Sequence, residues 1–192
     1  MSKANEVFIS VDIETSGPIP GDYSMLSIGA SLISAPTNAF YAELKPITMN
    51  FVPEALAVTG FSLDELITRG ETPESAMTRF ETWIRASLEG ADTPIFVGLN
   101  APFDWSFVNY YFHRFRIGNP FGFTALDIKA FFMGAMGCSW RDTRSSAIAK
   151  YLKLEPVDNH NALQDALYQA ELFRLLLNKA ARPTAIDTPD KG

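Results

Sequence analysis

The sequence predicts an α/β fold: a mixed five-stranded sheet, with three antiparallel strands followed by parallel ones, flanked by helices. Three segments rich in β-branched and aromatic residues come first, at 7–13, 25–34 and 38–45. Segments of helical periodicity then alternate with two shorter apolar runs, at 95–99 and near 123–126. Strands followed by alternating helices and strands are typical of a mixed sheet covered by helices.

Turn-forming residues bound the strands. A loop rich in glycine and proline, at 17–21, ends the first strand, and residues 36–38 separate the second strand from the third. Strands this close in sequence pair as an antiparallel meander. The continuous apolar run at 95–99 suits a strand that is buried on both faces and runs parallel to the first strand.

The helices are predicted from start signals and from apolar spacing. Two short helical turns flank Gly60, and the second of them has Ser62 at capping-box spacing from Glu65. Pro73 and Pro102 occupy the first turns of two longer helices, where the missing N–H has no intrahelical partner to lose. The later helices are expected at about 128–136, 143–152 and 161–180.

Length and composition indicate one globular domain. Of the 192 residues 47% are hydrophobic, and we place the domain at 1–180 with a flexible polar tail at 181–192. A net charge of −6 excludes binding of nucleic acid by overall charge alone. The single cysteine, Cys138, excludes an internal disulfide. No apolar run resembles a signal peptide or a membrane span, so a cytoplasmic protein is expected.

Two acids lie at the end of the first strand. Asp12 and Glu14 are two residues apart, so their side chains share one face, while Val11 and Ile13 point into the core on the other face. The glycine- and proline-rich loop that follows leaves room for a ligand. A strand that simply runs into a polar turn would show the same residues. This pair alone therefore does not distinguish a functional site from an ordinary strand end.

A third acid, Asp104, lies in the first turn of the helix that Pro102 opens. The helix dipole favours an acid there whatever its function. The spacing nevertheless puts Asp104 at the head of the core-facing stripe. The apolar residues that follow it on this stripe are Phe107, Val108, Tyr111 and Phe115. A carboxylate that faces inward requires a metal ion or another cation.

The last two candidates lie at the start of the carboxyl-terminal helix. Asn161 and Gln164 have N-cap and N3 spacing, which puts His160 on the approaching loop and Asp165 near the first turn. From the loop, His160 can swing over the helix start toward Asp165. Judged by itself, His160 is better explained as a loop histidine that makes only local hydrogen bonds.

Four acids from distant segments, in largely apolar surroundings, are costly unless a positive charge meets them. A pair of divalent metal ions is the simplest source of that positive charge. Two such ions held by carboxylates can catalyse phosphoryl transfer. The predicted metal ligands are Asp12, Glu14, Asp104 and Asp165.

Together the three segments resemble the DEDDh family of 3′–5′ exonucleases in the ribonuclease H-like superfamily, which includes proofreading subunits, RNase T and oligoribonuclease. The family pattern is D-x-E-T followed by a small residue and Gly, then N-A-x-F-D, then H-x-x-x-x-D. Here residues 12–17 read DIETSG, residues 100–104 read NAPFD, and residues 160–165 read HNALQD. Leu99 and Thr59 stand where many members have histidine, and neither position is a metal ligand in the family.

The resemblance implies a ribonuclease H-like fold and a two-metal mechanism. The four acids would hold two Mg²⁺ or Mn²⁺ ions about 3.5–4 Å apart, and His160 would act as general base on the attacking water. Nucleoside 5′-monophosphates would be released from the 3′ end of single-stranded or short RNA or DNA. The residues expected to contact substrate are Thr15, Ser16, Met25, Leu26, Val58, Phe61 and Asn100. Taken one by one, Met25, Val58 and Phe61 are better explained as core residues.

Two other functions stay open on the sequence. One is a proofreading or scaffold module within a larger nucleic-acid complex, and the other is a metal-dependent phosphatase of small phosphate esters. The sequence does not distinguish RNA from DNA, and an exoribonuclease is the working expectation. A homodimer is expected by analogy with RNase T and oligoribonuclease.

Overall fold

The computed structural model describes residues 5–90, 92–155 and 161–180. Its strands are β1 (Glu6–Thr15), β2 (Met25–Leu32), β3 (Ala39–Glu43), β4 (Thr93–Gly98) and β5 (Ala125–Asp127). They form one sheet in the order β3-β2-β1-β4-β5. β1 and β3 each pair antiparallel with β2, whereas β4 is parallel to β1 and β5 is parallel to β4. The predicted mixed sheet is confirmed.

Seven α-helices and one 3-10 helix occur in the described residues. They are α1 (Pro53–Thr59), α2 (Leu63–Arg69), α3 (Pro73–Ala86), α4 (Ala101–Arg114), α5 (Ile128–Met136), the 3-10 helix (Trp140–Thr143), α6 (Ser145–Leu152) and α7 (Ala162–Ala180). Proline lies in the first turn of α3 and of α4, and the Ser62 side chain caps α2, as the start signals predicted. None of these described helices has both the length and the apolar character needed to cross a bilayer.

Helices cover both faces of the sheet, and each side has its own apolar core. One core contains Val11 and Ile13 of β1 together with buried residues of α3 and α4. The other contains residues of α5, α6 and α7, among them the fully buried Phe173. Because side chains alternate along a strand, Asp12 and Glu14 project toward the α7 side of β1.

β5 begins two residues later than the prediction of 123–126. Phe123 is 89% exposed and Gly122 has a φ of 72°, so this stretch is a loop that precedes the strand. Ala125 is the first residue to pair with β4, opposite Phe96. Phe123 raises the strand propensity of this stretch, but β5 begins only where a residue of β4 is available to pair with it.

Candidate active site

Three of the predicted carboxylates meet between β1 and α7. Asp12 and Glu14 belong to β1, and Asp165 lies in the first turn of α7. Carboxylate oxygens of these three residues all lie within 4.8 Å of one another. The fold therefore brings the first strand and the last described helix together at a cluster formed by the carboxylates of Asp12, Glu14 and Asp165, which we call the acidic point.

Gly29 of β2 allows α7 to come this close. Gly29 is the residue of β2 that pairs with Asp12. A Cβ added to Gly29 would lie 2.3 Å from backbone atoms of Ala162 and 2.4 Å from the nitrogen of Leu163. The missing side chain thus lets the first turn of α7 rest directly on β2, which brings Asp165 beside Asp12.

The fourth carboxylate, Asp104, is only 5% exposed, in the first turn of α4. Its Oδ1 accepts a hydrogen bond of 3.2 Å from the backbone N–H of Ile13. This bond ties the start of α4 to β1 between Asp12 and Glu14. Asp104 therefore borders the other carboxylates, and its charge contributes to raising the pKa of both Asp12 and Glu14.

Burial and mutual repulsion raise the pKa values of these acids. Burial, followed by the charges of Asp165 and Asp104, raises the pKa of Glu14 to about 8. Burial raises the pKa of Asp104 to about 7. Burial also raises the pKa of Asp12 well above its usual range, and each of the other three carboxylates adds to the increase. The group therefore holds its negative charge easily only when a cation is bound.

A residue that the sequence did not single out, Gln169, fixes the orientation of Asp12. Its Nε2 donates a hydrogen bond of 2.6 Å to Oδ1 of Asp12, and its Oε1 accepts one of 2.9 Å from the N–H of Leu99. Gln169 is 5% exposed, so this bridge between α7, β1 and the end of β4 is shielded from water. The only sequence signal for it is its spacing of four residues from Asp165, which puts both on one face of α7.

The predicted general base, His160, lies outside the described residues. The helix start next to it is described: the side-chain oxygen of Asn161 accepts a hydrogen bond of 3.2 Å from the N–H of Gln164. The predicted N-cap of α7 is therefore confirmed. The role of His160 stays a prediction.

An apolar cleft adjoins the carboxylates on the side of α1. Two cavities of about 340 and about 350 Å³ share Thr15, Ala55 and Phe103 in their walls. The second cavity also contains Glu14 and Val58, and Val58 is 52% exposed. Phe103 immediately precedes the fourth carboxylate, so the first turn of α4 supplies both an acid and an aromatic wall. A planar apolar group bound in this cleft would lie directly beside the acidic point.

Two other predicted contact residues, Ser16 and Asn100, lie close in the chain to residues of the cleft wall. Ser16 is fully buried: its hydroxyl donates to the carbonyl of Asn50 at 2.8 Å and accepts from the N–H of Ser24 at 2.9 Å. The side chain of Ser16 thus fastens the loop after β1. Asn100 is exposed, has a φ of 70° and directly precedes α4.

The structure corrects the expectation that Met25 or Leu26 contacts substrate. Both side chains have no exposed surface, because β2 is covered on both faces. Met25 belongs to the core on the α3 side, and Leu26 packs with Leu63. Phe61 is partly buried against the same small cluster as Leu26.

A larger cavity, of about 450 Å³, lies between β3 and α3 and is bordered by Phe40, Arg79 and Trp83. Its lining residues include no carboxylate and none of the residues predicted for the site. Volume alone therefore does not locate the chemistry in this fold.

The donor set at the acidic point suits a hard divalent cation. Asp12, Glu14 and Asp165 offer carboxylate oxygens close enough to share an ion, and Asp104 lies beside them. In the described ranges, no recorded ion pair of a lysine or arginine involves Asp12, Glu14 or Asp104. Mg²⁺ and Mn²⁺ prefer oxygen ligands of this kind, so the residues present fit such a metal.

Comparison with known sequences gives a family and a close relative. The Exonuclease family matches residues 9–173, a range that contains every carboxylate described above. The chain is 54% identical over 176 residues to the 3′–5′ DNA exonuclease Cap18 of Escherichia coli, covering 92% of this chain and 94% of that protein.

Two solved structures share the fold. The nuclease domain of 3′hExo, a DEDDh family member bound to rAMP, aligns with a TM-score of 0.76 at 14% identity, covering 93% of this chain and 94% of that one. The zinc-bound complex of Escherichia coli exonuclease I with single-stranded DNA aligns with a TM-score of 0.68 at 18% identity, covering 91% of this chain and 41% of that one. The predicted ribonuclease H-like architecture is confirmed.

Proposed function

This chain belongs to the DEDDh 3′–5′ exonuclease family, and on that basis we propose that it removes nucleotides one at a time from the 3′ end of single-stranded DNA. One observation carries the proposal. Carboxylate oxygens of Asp12, Glu14 and Asp165 lie within 4.8 Å of one another, and the same Glu14 forms part of the wall of an apolar cleft. A metal-binding group beside a base-sized cleft is what cleavage of a terminal nucleotide requires.

Two divalent cations, Mg²⁺ or Mn²⁺, are assigned to the four carboxylates, Asp12, Glu14, Asp104 and Asp165. The raised pKa values of Glu14 and Asp104 support the assignment, because they mark carboxylates without enough neighbouring positive charge. When bound, the cations supply positive charge that offsets the substrate phosphate and favours ionisation of the attacking water. Gln169 keeps Asp12 oriented toward them through the bridge to Leu99.

His160 is assigned as the general base. A neutral imidazole can accept the proton of the attacking water near pH 7. The water oxygen forms a bond to the terminal phosphorus, and the bond from phosphorus to the 3′ oxygen of the preceding nucleotide breaks. The products are a nucleoside 5′-monophosphate and a strand one nucleotide shorter with a 3′-hydroxyl.

The cleft formed by Thr15, Ala55 and Phe103 is assigned to the 3′-terminal nucleoside. Apolar walls accept every base by stacking or contact, which favours an unpaired strand over a duplex. The Thr15 hydroxyl donates a hydrogen bond of 3.0 Å to the carbonyl of Gly17, so the loop after β1 stays folded beside the cleft. Val58, which is exposed in the wall of the cleft, and Asn100, which is exposed just before α4, are assigned to contacts with the base and sugar.

DNA is proposed in place of the RNA that we expected from the sequence. The support is the relative at 54% identity, which is a DNA exonuclease. A protein distinguishes RNA from DNA by contacts to the 2′-hydroxyl, and such contacts depend on one or two side chains near the sugar.

The test uses 5′-labelled DNA and RNA oligomers of one sequence, incubated with Mg²⁺, Mn²⁺ or EDTA. We expect DNA ladders that shorten from the 3′ end, slower shortening of RNA, and no reaction in EDTA. Asp12→Ala should abolish the reaction, and His160→Ala should slow it roughly 10²–10⁴-fold, the usual contribution of a general base. Asp64→Ala, which removes an exposed acid of α2, is the matched control and should leave the rate unchanged.

The alternative functions give different products in the same assay. A phosphatase of small phosphate esters would release inorganic phosphate without shortening the strand, and a scaffold module would bind the strand without cutting it. Faster cleavage of RNA than of DNA would overturn the assignment of substrate while leaving the exonuclease assignment in place.

A further inference from the structure

A second feature lies beside the start of α4, the helix that carries Asp104. α5 begins directly after Asp127, whose Oδ2 accepts a hydrogen bond of 2.7 Å from the N–H of Ala101 at the start of α4. β5 is two strands from β1, a distance of about 10 Å across the sheet. Because the first turn of α4 also carries Asp104, the start of α5 lies near the carboxylates.

An exposed tryptophan and a lysine lie together at this place. Trp140, in the 3-10 helix, is 55% exposed, and Nζ of Lys129 lies 4.4 Å from the centre of its ring. The 3-10 helix is held in shape by local bonds: Asp142 accepts from the hydroxyl of Ser139 at 2.7 Å, and the Thr143 hydroxyl donates to the carbonyl of Trp140 at 2.7 Å. The indole is thus presented on a rigid turn.

Cations close to Trp140, either in space or in the sequence, have no acidic partner among the described residues. In the part of the chain that the structure describes, no recorded ion pair involves Lys129, Arg141 or Arg144. The one acid within the turn, Asp142, is occupied by the capping bonds to Ser139. Four other arginines, Arg69, Arg79, Arg85 and Arg174, are each paired with a glutamate, whereas Arg114 and Arg116 resemble Arg141 and Arg144 in having no ion pair in the described residues. Positive charge is therefore available for a ligand here.

We propose that the 129–144 face, defined as Lys129, Trp140, Arg141 and Arg144, binds the DNA strand on the 5′ side of the nucleotide being removed. Stacking on an exposed aromatic ring together with phosphate contacts from unpaired cations is the usual means of holding single strands. The inference rests on the proposed function, because the cleft must hold the 3′ end for the strand to extend toward this face. It assigns binding of the remaining strand to a surface separate from the carboxylates.

The experiment compares a dinucleotide with an oligothymidylate long enough to cross the face. Trp140→Ala and the double change Lys129→Ala with Arg141→Ala should each raise the KM for the long strand roughly 10-fold, the value of one lost stacking or ionic contact. Cleavage of the dinucleotide should be unchanged, which shows that the variants are folded. Trp140→Phe keeps an aromatic ring and should bind the long strand nearly as well as the parent.

Two controls match these variants. Arg85→Ala removes an exposed cation that is paired with Glu81, and Phe123→Ala removes the 89% exposed aromatic that precedes β5. Neither should change the KM for the long strand. The salt dependence of binding should weaken by about 0.7 in logarithmic slope for each phosphate contact removed from the face, and stay unchanged in the controls.

Binding of the labelled oligothymidylate in EDTA, followed by fluorescence anisotropy, separates the two proposals. A parent protein that binds but does not cleave with metal would overturn the proposed function alone. Equal Kd values for the parent, Trp140→Ala and the double variant would overturn the role of the 129–144 face, whether or not the protein cleaves DNA.

Discussion

Asp12 shows how far one side chain of this protein depends on partners that are remote in sequence. Three other carboxylates contribute to raising its pKa, and the amide of Gln169, 157 positions away, donates a hydrogen bond to it. An arrangement of four buried or half-buried acids does not stabilise a fold. Proteins tolerate the free-energy cost of such neighbouring acids at functional sites, where a ligand supplies the compensating positive charge.

The first prediction concerns the pH dependence of stability without metal. The pKa of Glu14 is about 8 in the folded protein and 4.5 ordinarily, so the unfolded chain binds fewer protons between these values. The free energy of unfolding should therefore fall as the pH rises from about 4.5 to about 8. The raised pKa of Asp104, about 7, acts in the same direction. Urea unfolding in EDTA across this range measures the effect.

A substitution isolates the contribution of Glu14. Glu14→Gln removes the titrating group, so in EDTA near pH 8 it should be more stable than the parent, although inactive with metal. Glu89→Gln, at an exposed loop position, serves as the control and should match the parent. Adding Mn²⁺ near pH 8 should stabilise the parent and not Glu14→Gln. Identical unfolding curves for both proteins in EDTA would contradict the account of the acidic point.

The second prediction concerns Gln169. Gln169→Leu keeps the size of the side chain but removes the donor to Asp12 and leaves the Leu99 N–H unpaired. We expect activity or apparent metal affinity to fall about 10–100-fold, as for other residues that orient metal ligands. Excess metal should recover part of the rate. Gln164→Leu, at an exposed position of the same helix, should behave like the parent, and equal metal titrations for both variants would exclude the role of Gln169.

At the scale of secondary-structure elements, α7 completes the site because β2 has a glycine, Gly29, where the helix crosses the strand. The prediction follows from Gly29, where a Cβ would meet backbone atoms of Ala162 at 2.3 Å. Gly29→Ala should displace the start of α7, destabilise the protein by about 1–3 kcal/mol and lower kcat. Urea unfolding and single-turnover rates measure both effects.

The matched glycine substitution is Gly134→Ala. Gly134 lies inside α5, and a Cβ there would have no atom within 4 Å. This change should stabilise the protein by about 0.5–1 kcal/mol, the helical preference of alanine over glycine. Full activity and parental stability in Gly29→Ala would show that α7 does not depend on the close approach.

Elements with strong local signals were predictable, and features that depend on meeting a distant segment were not. Proline at the start of α3 and the side-chain cap of α7 are local, and both agree with the structure. β5 has three residues and no periodicity of its own, so its start was misplaced. Gln169 looks like any polar residue of a helix until α7 is placed against β1. Met25 gives the same apolar signal in a core as in a binding surface.

For the whole molecule, the sequence places the domain boundary after the last helix. The described apolar cores draw on residues up to Leu177, and the segment 181–192 is polar, so we propose that it adds nothing to the core. A chain that ends at Ala180 should keep its activity and shift its Tm by less than about 2 °C, which is under about 1 kcal/mol for this size. Loss of activity in the shortened chain would place functional residues in the tail. The homodimer expected by analogy stays a prediction, which sedimentation of both chains would check.

The position of α7 at the end of the described chain also has a consequence for biosynthesis. A ribosome-bound polypeptide that has emerged only as far as α6 carries Asp12, Glu14 and Asp104 but not Asp165 or Gln169. Such a nascent chain has three of the four acids and no amide to orient them. We therefore expect the growing polypeptide to leave nucleic acids around the ribosome uncut until α7 has been synthesised.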